Sequence, residues 1–306
     1  MRILITSGGG AKGAFSVGAL QYLTTVIPGF NFISGTSTGS LIAAMIACGK
    51  LQTLVDVYQN TTNDRILKPT DVAESISTGQ PYIYDTQPLM DQLDTYLDQQ
   101  AYDTIMQSEV KLCFNSVCLQ TGKITVFSTK NISASPLYDW IEIDTIQMMK
   151  LGMMGSSNQA AFMNPVDING KQYVDGGNRE VIPTKVVVQN VSSTEAHDVY
   201  VLSNNPVDLL QVQKKYDSIL DVLFRAITMF IQEVRENDIE TLINFRLGAT
   251  APVRIFYIHP DQELDPQFPT GLRFDKFRMR GWMEQGKVKA QEIISNFPNG
   301  NTGLVA

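Results

Sequence analysis

Arg2-Ile-Leu-Ile-Thr6 runs into Gly8-Gly-Gly-Ala-Lys-Gly13 and then Ala14-Phe-Ser-Val-Gly-Ala-Leu-Gln-Tyr-Leu23. Phe30-Asn-Phe-Ile33 runs into Gly35-Thr-Ser-Thr-Gly39 and then Ser40-Leu-Ile-Ala-Ala-Met-Ile-Ala-Cys48. Twice, a short apolar run of strand length gives way to a glycine-rich turn and then to apolar residues at helical spacing. That alternation is the pattern of a parallel sheet covered by helices, so the expected class is α/β with a mostly parallel central sheet.

Further along, Lys111-Leu-Cys-Phe-Asn-Ser-Val-Cys118 and Lys123-Ile-Thr-Val-Phe127 flank Gln120-Thr-Gly122, which predicts a hairpin. Residues 50 to 108 read as helical patches. Lys171-Gln-Tyr-Val174 reads as a short strand ending at Asp175-Gly-Gly177, and Val199-Tyr-Val-Leu202 as another strand. Residues 207 to 246 read as a long amphipathic helix. No linker rich in Pro, Gly or Ser divides the 306 residues. The expectation is one domain over 1–297 and a flexible tail over 298–306.

Composition narrows the function. With 43% apolar and 18% charged residues the chain can bury a large core. A net charge of -7 with no run of Lys or Arg argues against nucleic acid as a partner. No apolar stretch reaches the roughly 18 residues that span a bilayer, and Met1 leads straight into a strand without a signal-peptide pattern. The expected location is cytoplasmic, with attachment to a membrane surface or secretion without a signal peptide as alternatives. Cys48, Cys113 and Cys118 sit in apolar segments and read as reduced thiols. His197 and His259, the two histidines, lack ligand-like spacing, so no metal or other cofactor is expected.

Gly8-x-Gly10-x-x-Gly13 between strand and helix formally matches a dinucleotide-binding loop, which would make the chain an oxidoreductase. That use needs an acidic residue at the end of the second strand, where Ser34-Gly-Thr-Ser-Thr-Gly39 stands instead. The other use is an oxyanion hole, in which glycine amides converge on developing negative charge at a helix N-terminus. It requires a nucleophile nearby. Gly35-Thr-Ser37-Thr-Gly39 is G-x-S-x-G between strand and helix, the turn that lifts a serine clear of the backbone. Its base could be a histidine, as in a Ser, Asp, His order of Ser37, Asp175 and His197 or His259. It could instead be Asp175 alone, a carboxylate ending an apolar strand with Gly176 and Gly177 allowing close approach. His197, in a polar loop, and His259, before Pro260, read more simply as surface or strand-end residues.

The set Gly8-Gly-Gly-Ala-Lys-Gly13, Gly35-Thr-Ser-Thr-Gly39 and Asp175-Gly-Gly177 resembles the patatin-like phospholipase family. Gly155-Ser-Ser-Asn-Gln-Ala-Ala-Phe162 with Pro165 resembles its segment before the aspartate, and Gly281-Trp-Met-Glu-Gln-Gly286 the end of its bacterial members. The resemblance implies a three-layer α/β/α fold and a lipid acyl hydrolase of phospholipase A or lysophospholipase type. It implies Ser37 as nucleophile and Asp175 as base, without histidine or metal. The oxyanion hole would comprise the Gly8, Gly9 and Gly10 amides with that of Thr38, supported by Lys12, Gly13, Gly35, Gly39, Gly176 and Gly177. Departures are Lys12 where Arg also occurs, no proline near Gln159 and Ala160, and Val181 where Asn is common ahead of Pro183. A catalytically silent lipid-binding module is the remaining alternative.

Met45, Met153, Met154, Phe162 and Met163 form an apolar set suited to an acyl chain. Ile219, Leu220, Leu223, Ile227, Phe230 and Ile231 form a helical stripe whose ordinary reading is packing on the sheet. The alternative is docking on a lipid surface.

Overall fold

The structure is a computed structural model and describes residues 1–208, 215–266, 268 and 270–301. In chain order its elements are β1 (Arg2–Thr6), α1 (Ala14–Val26), β2 (Phe32–Thr36), α2 (Thr38–Ala47), α3 (Leu51–Asn60), β3 (Lys68–Pro69), α4 (Val72–Thr78), β4 (Tyr84–Asp85), α5 (Gln87–Tyr96) and α6 (Gln99–Gln107). There follow β5 (Lys111–Cys118), β6 (Ile124–Ser128), β7 (Asp139–Glu142), α7 (Ile146–Ser157), β8 (Val166–Ile168), β9 (Lys171–Asp175), α8 (Lys185–Asn190), β10 (His197–Leu202), α9 (Ile219–Gly248), β11 (Val253–Ile258) and α10 (Lys276–Asn296).

The large sheet runs β11-β10-β1-β2-β5-β6-β7, and its first five strands are parallel throughout. β1 and β2 lie in its middle and are buried on both sides, which is why they read as continuous apolar runs rather than as alternations. The expected hairpin is present, with β5 antiparallel to β6. Helices cover both faces. Leu20, Leu23, Ile42, Leu54, Met153 and Met283 build the core on one side. Val186 and Val187 of α8, with Ile239 and Leu242 of α9, build it on the other. This is the three-layer α/β/α arrangement.

β5 branches. Over Lys111–Asn115 it pairs with β2, the last rung being Thr36 with Asn115. The next residue, Ser116, pairs with Asp175 of the antiparallel β9. β9 thus enters the sheet where β2 leaves it, and Asp175 arrives one rung beyond Thr36.

The long helix differs from expectation. It starts at Ile219, where Ser218 Oγ accepts the Asp221 N–H at 3.0 Å. Residues 215–218 are not helical, and 209–214 lie outside the described residues. Its apolar stripe does not pack on the sheet: Ile219 is 87% exposed, Leu223 50%, Phe230 69% and Ile231 41%. The side chain of Leu220 lies outside the described residues. Burial begins only at Arg235, Asp238, Ile239 and Leu242. The cause is length, since 30 residues of helix span about 45 Å, while the six-residue strands β10 and β11 span about 20 Å.

Of the segment expected as a tail, Asn301 is docked on β11, its Oδ1 accepting the Tyr257 N–H at 2.8 Å. Residues 302–306 lie outside the described residues. No described helix is long and apolar enough to cross a membrane.

Candidate active site

Ser37 sits between β2 and α2 with φ 56° and ψ -134°, a conformation an L-residue adopts only under constraint. The constraint is the tightness of the turn. A Cβ on Gly35 would lie 2.3 Å from the Gly39 carbonyl oxygen, and one on Gly39 would lie 2.3 Å from that of Thr6. The helix therefore begins at Thr38, two residues before the expected Ser40, with Ser37 at its N-cap. Ser40 closes the first turn by donating both its N–H and its hydroxyl to the Ser37 carbonyl, at 2.8 and 2.7 Å.

The Gly155-Ser-Ser-Asn segment, at the end of α7, holds the turn from the other side. Ser156 Oγ accepts the Ser37 N–H at 2.9 Å, and Ser157 Oγ donates to the Ser37 carbonyl at 3.1 Å. Asn158 then accepts the Asp175 N–H at 2.8 Å through its carbonyl. One segment thus grips both the serine turn and the aspartate strand.

Asp175 and Ser37 meet. The Asp175 carboxylate accepts the Gly177 N–H at 2.7 Å and lies near enough to the Ser37 side chain for that group to oppose its protonation. Both residues are buried, at 6% and 5% exposure. Burial pushes the Asp175 carboxyl up to about 6, against the weaker opposing effect of the Ser37 side chain and the Gly177 N–H. Neither histidine joins them. His197 is buried at the start of β10 with Nε2 donating to the Ser192 carbonyl at 2.6 Å. His259 Nδ1 donates to the Pro260 carbonyl at 3.0 Å.

The glycine loop lies directly against the turn, so close that a Cβ on Gly8 would come within 2.8 Å of Ser37 Cβ. Gly8, expected in the oxyanion hole, has its amide turned to the Val181 carbonyl at 3.4 Å. The amides of Gly9, Gly10 and Thr38 have no hydrogen-bond partner among the described residues.

The patatin-like phospholipase family model matches residues 4–210, the span that carries all three glycine motifs. The chain belongs to the patatin-like phospholipase family. No curated protein matches it significantly. Among solved structures, VipD from Legionella pneumophila superposes with TM-score 0.43 at 10% identity over 96% of this chain and 66% of that one. The type III effector protein ExoU gives TM-score 0.43 at 11% identity over 99% of this chain and 53% of that one. Full-length ExoU from Pseudomonas aeruginosa, in complex with SpcU, gives 0.32 at 14% identity over 80% and 52%. The chain thus spans about half to two thirds of the length of these structures.

In this patatin-like chain a cavity leads away from Ser37, Thr38 and Gly10. Leu41, Met45, Leu54, Leu89, Leu93 and Met153 line it, with Tyr58 and Phe274. Met45 and Met153 were expected there. Met154, Phe162 and Met163, expected with them, are not among the lining residues.

Some of the residues that hold these turns, Asn204, Gly271 and Asn115, come from places no motif marks. Asn204, just past β10, donates from Nδ2 to the Ser7 and Gly8 carbonyls at 3.1 and 3.2 Å, while its Oδ1 accepts from Ser16 Oγ at 2.7 Å. The Gly271 carbonyl accepts the Ala11 N–H at 2.8 Å, and Gln159 donates to the Thr270 carbonyl at 3.1 Å. Asn115 accepts from Thr36 Oγ1 at 2.6 Å and donates to Glu180 Oε2 at 3.1 Å, linking the strand end before Ser37 to the segment after Asp175. Lys12 is buried and bonded to Asn205 and to Glu263, the latter at 3.1 Å, so it ties the glycine loop to the segment after β11. Gly13 gives room to Tyr58, whose hydroxyl lies 3.1 Å from Thr38 Oγ1, and Gly176 gives room to Asn115. Among the described residues no group of His, Cys, Asp and Glu could hold a metal ion.

Proposed function

We propose that this chain is a lipid acyl hydrolase of phospholipase A or lysophospholipase type, acting through a Ser37–Asp175 dyad. The observation that carries the reading is the juxtaposition of three things. The Ser37 hydroxyl beside the Asp175 carboxylate, unpartnered amides and a cavity lined by apolar side chains converge at Ser37.

Ser37 Oγ attacks the ester carbonyl carbon as Asp175 takes its proton. The carbonyl π electrons move to oxygen, and the amides of Gly9, Gly10 and Thr38 hold the oxyanion at the N-terminus of α2. Collapse breaks the bond to the alcohol, which leaves with the proton from Asp175. Water, deprotonated by Asp175, then attacks the acyl-serine, releases the fatty acid and returns the proton to Ser37. A carboxyl held at about 6 is ionised at neutral pH yet basic enough to accept a proton from serine as attack proceeds. The test is fatty-acid release from monoacyl and diacyl phosphatidylcholine dispersions. Release by the native chain and none by Ser37→Ala supports the reading, and equal release by both defeats it.

A further inference from the structure

The carboxyl edge of the parallel strands carries Ser37, the glycine loop and Asp175. The same edge gathers much of the exposed apolar surface among the described residues. α9 connects the carboxyl end of β10 to the amino end of β11, so its first residues stand on the active-site side. Gln232 and Arg235 both donate to the Val207 carbonyl in the loop leaving β10, which puts that turn of the helix level with the edge. Residues 219–231 therefore project roughly 20 Å past it. Along this projection Ile219, Leu223 and Phe230 are 87%, 50% and 69% exposed. Phe268 and Phe277, from the segment following β11, and Leu119, past the end of β5, are also exposed on this edge.

We propose that this edge, with the projecting half of α9 as its main contact, docks on a zwitterionic lipid surface and delivers Ser37 to it. The inference rests on the acyl-hydrolase reading for its choice of occupant, since a substrate whose acyl chain fills the cavity is presented by a lipid aggregate. Charge selects the kind of surface. Asp221 and Arg225 are the charged residues between Ile219 and Ile231 and cancel, and the chain carries -7 overall, so an anionic surface would repel it. Shallow insertion of apolar side chains needs no basic residues.

The experiment is flotation of the Ser37→Ala protein with phosphatidylcholine vesicles, so that binding is read without turnover. The protein is expected to float. Leu223→Ser with Phe230→Ser is expected to lower the bound fraction about tenfold, and Val26→Ser with Leu247→Ser, exposed at the opposite edge, to leave it unchanged. Phe230→Trp guards against loss of fold in the double variant, and its fluorescence is expected to be quenched by brominated phosphatidylcholine. Failure to float, unchanged binding by the double variant, or no quenching overturns docking. So does a double variant that turns a dimer into a monomer while still floating, which would make a second copy the occupant. Cleavage of a soluble p-nitrophenyl ester by the native chain reads the dyad separately: docking can fail with that activity intact, and that activity can fail with flotation intact.

Discussion

In the proposed mechanism Asp175 is the base, and its burial has a thermodynamic sign that can be tested. Its native carboxyl keeps a proton up to about 6, against 3.8 for the free group, so the folded chain binds more protons between those values. The stability it contributes is complete below 3.8 and is lost as pH rises through about 6, amounting to about 3 kcal/mol. Asp175→Asn is therefore expected to raise the melting temperature at pH 8 and to change it little at pH 4, with hydrolysis lost. A lower melting temperature at pH 8 would show that the carboxylate is stabilising and its burial misjudged. The histidines are expected to contribute nothing chemical. His197→Ala with His259→Ala should keep ester turnover within about tenfold, and a loss beyond about a hundredfold would restore a histidine base.

At the scale of elements, what could be read from sequence was what is local. Gly35 and Gly39 bracket Ser37 within five residues, and the glycine loop abuts its own strand and helix, so both turns were legible. The partner of the serine was legible only as a residue type at the end of a strand. Its meeting with Ser37 depends on β5 exchanging β2 for β9 between Asn115 and Ser116, a long-range register that leaves no period in the sequence. Asn204, Gly271 and Asn115 are single polar or small residues acting across long separations, and they were invisible for the same reason. The stripe on α9 was legible as apolar, but a period of 3.6 says which face is apolar and not what covers it. The closing motif Gly281-Trp-Met-Glu-Gln-Gly286 gains a packing explanation. A Cβ on Gly286 would lie 1.9 Å from the Phe15 carbonyl oxygen of α1, while one on Gly281 meets nothing within 4 Å. Gly286→Ala should thus destabilise by about 1–3 kcal/mol in urea unfolding, whereas Gly281→Ala should stabilise by about 0.5–1 kcal/mol. Equal effects would contradict the close packing of α1 on α10.

For the molecule as a whole, the cavity ties fold to substrate. α2 brings Leu41 and Met45 from beside the nucleophile, and α5 brings Leu89 and Leu93, so the pocket is shared between helices set far apart in sequence. Leu93→Trp is expected to cut kcat/KM for a dodecanoyl ester about tenfold while leaving a butyryl ester within about twofold. Parallel losses for both would mean that the cavity does not take the acyl chain.

The central claim is that Ser37 is a nucleophile activated by Asp175 alone. The most direct measurement is the rate of covalent labelling by a fluorophosphonate across pH, with the modified peptide identified by mass spectrometry. The account predicts a single label on Ser37, a rate that rises with an apparent pKa of about 6 and then levels off, and labelling slowed at least about a thousandfold in Asp175→Asn. Labelling of another residue, or labelling of Ser37 in Asp175→Asn at the native rate, would contradict it.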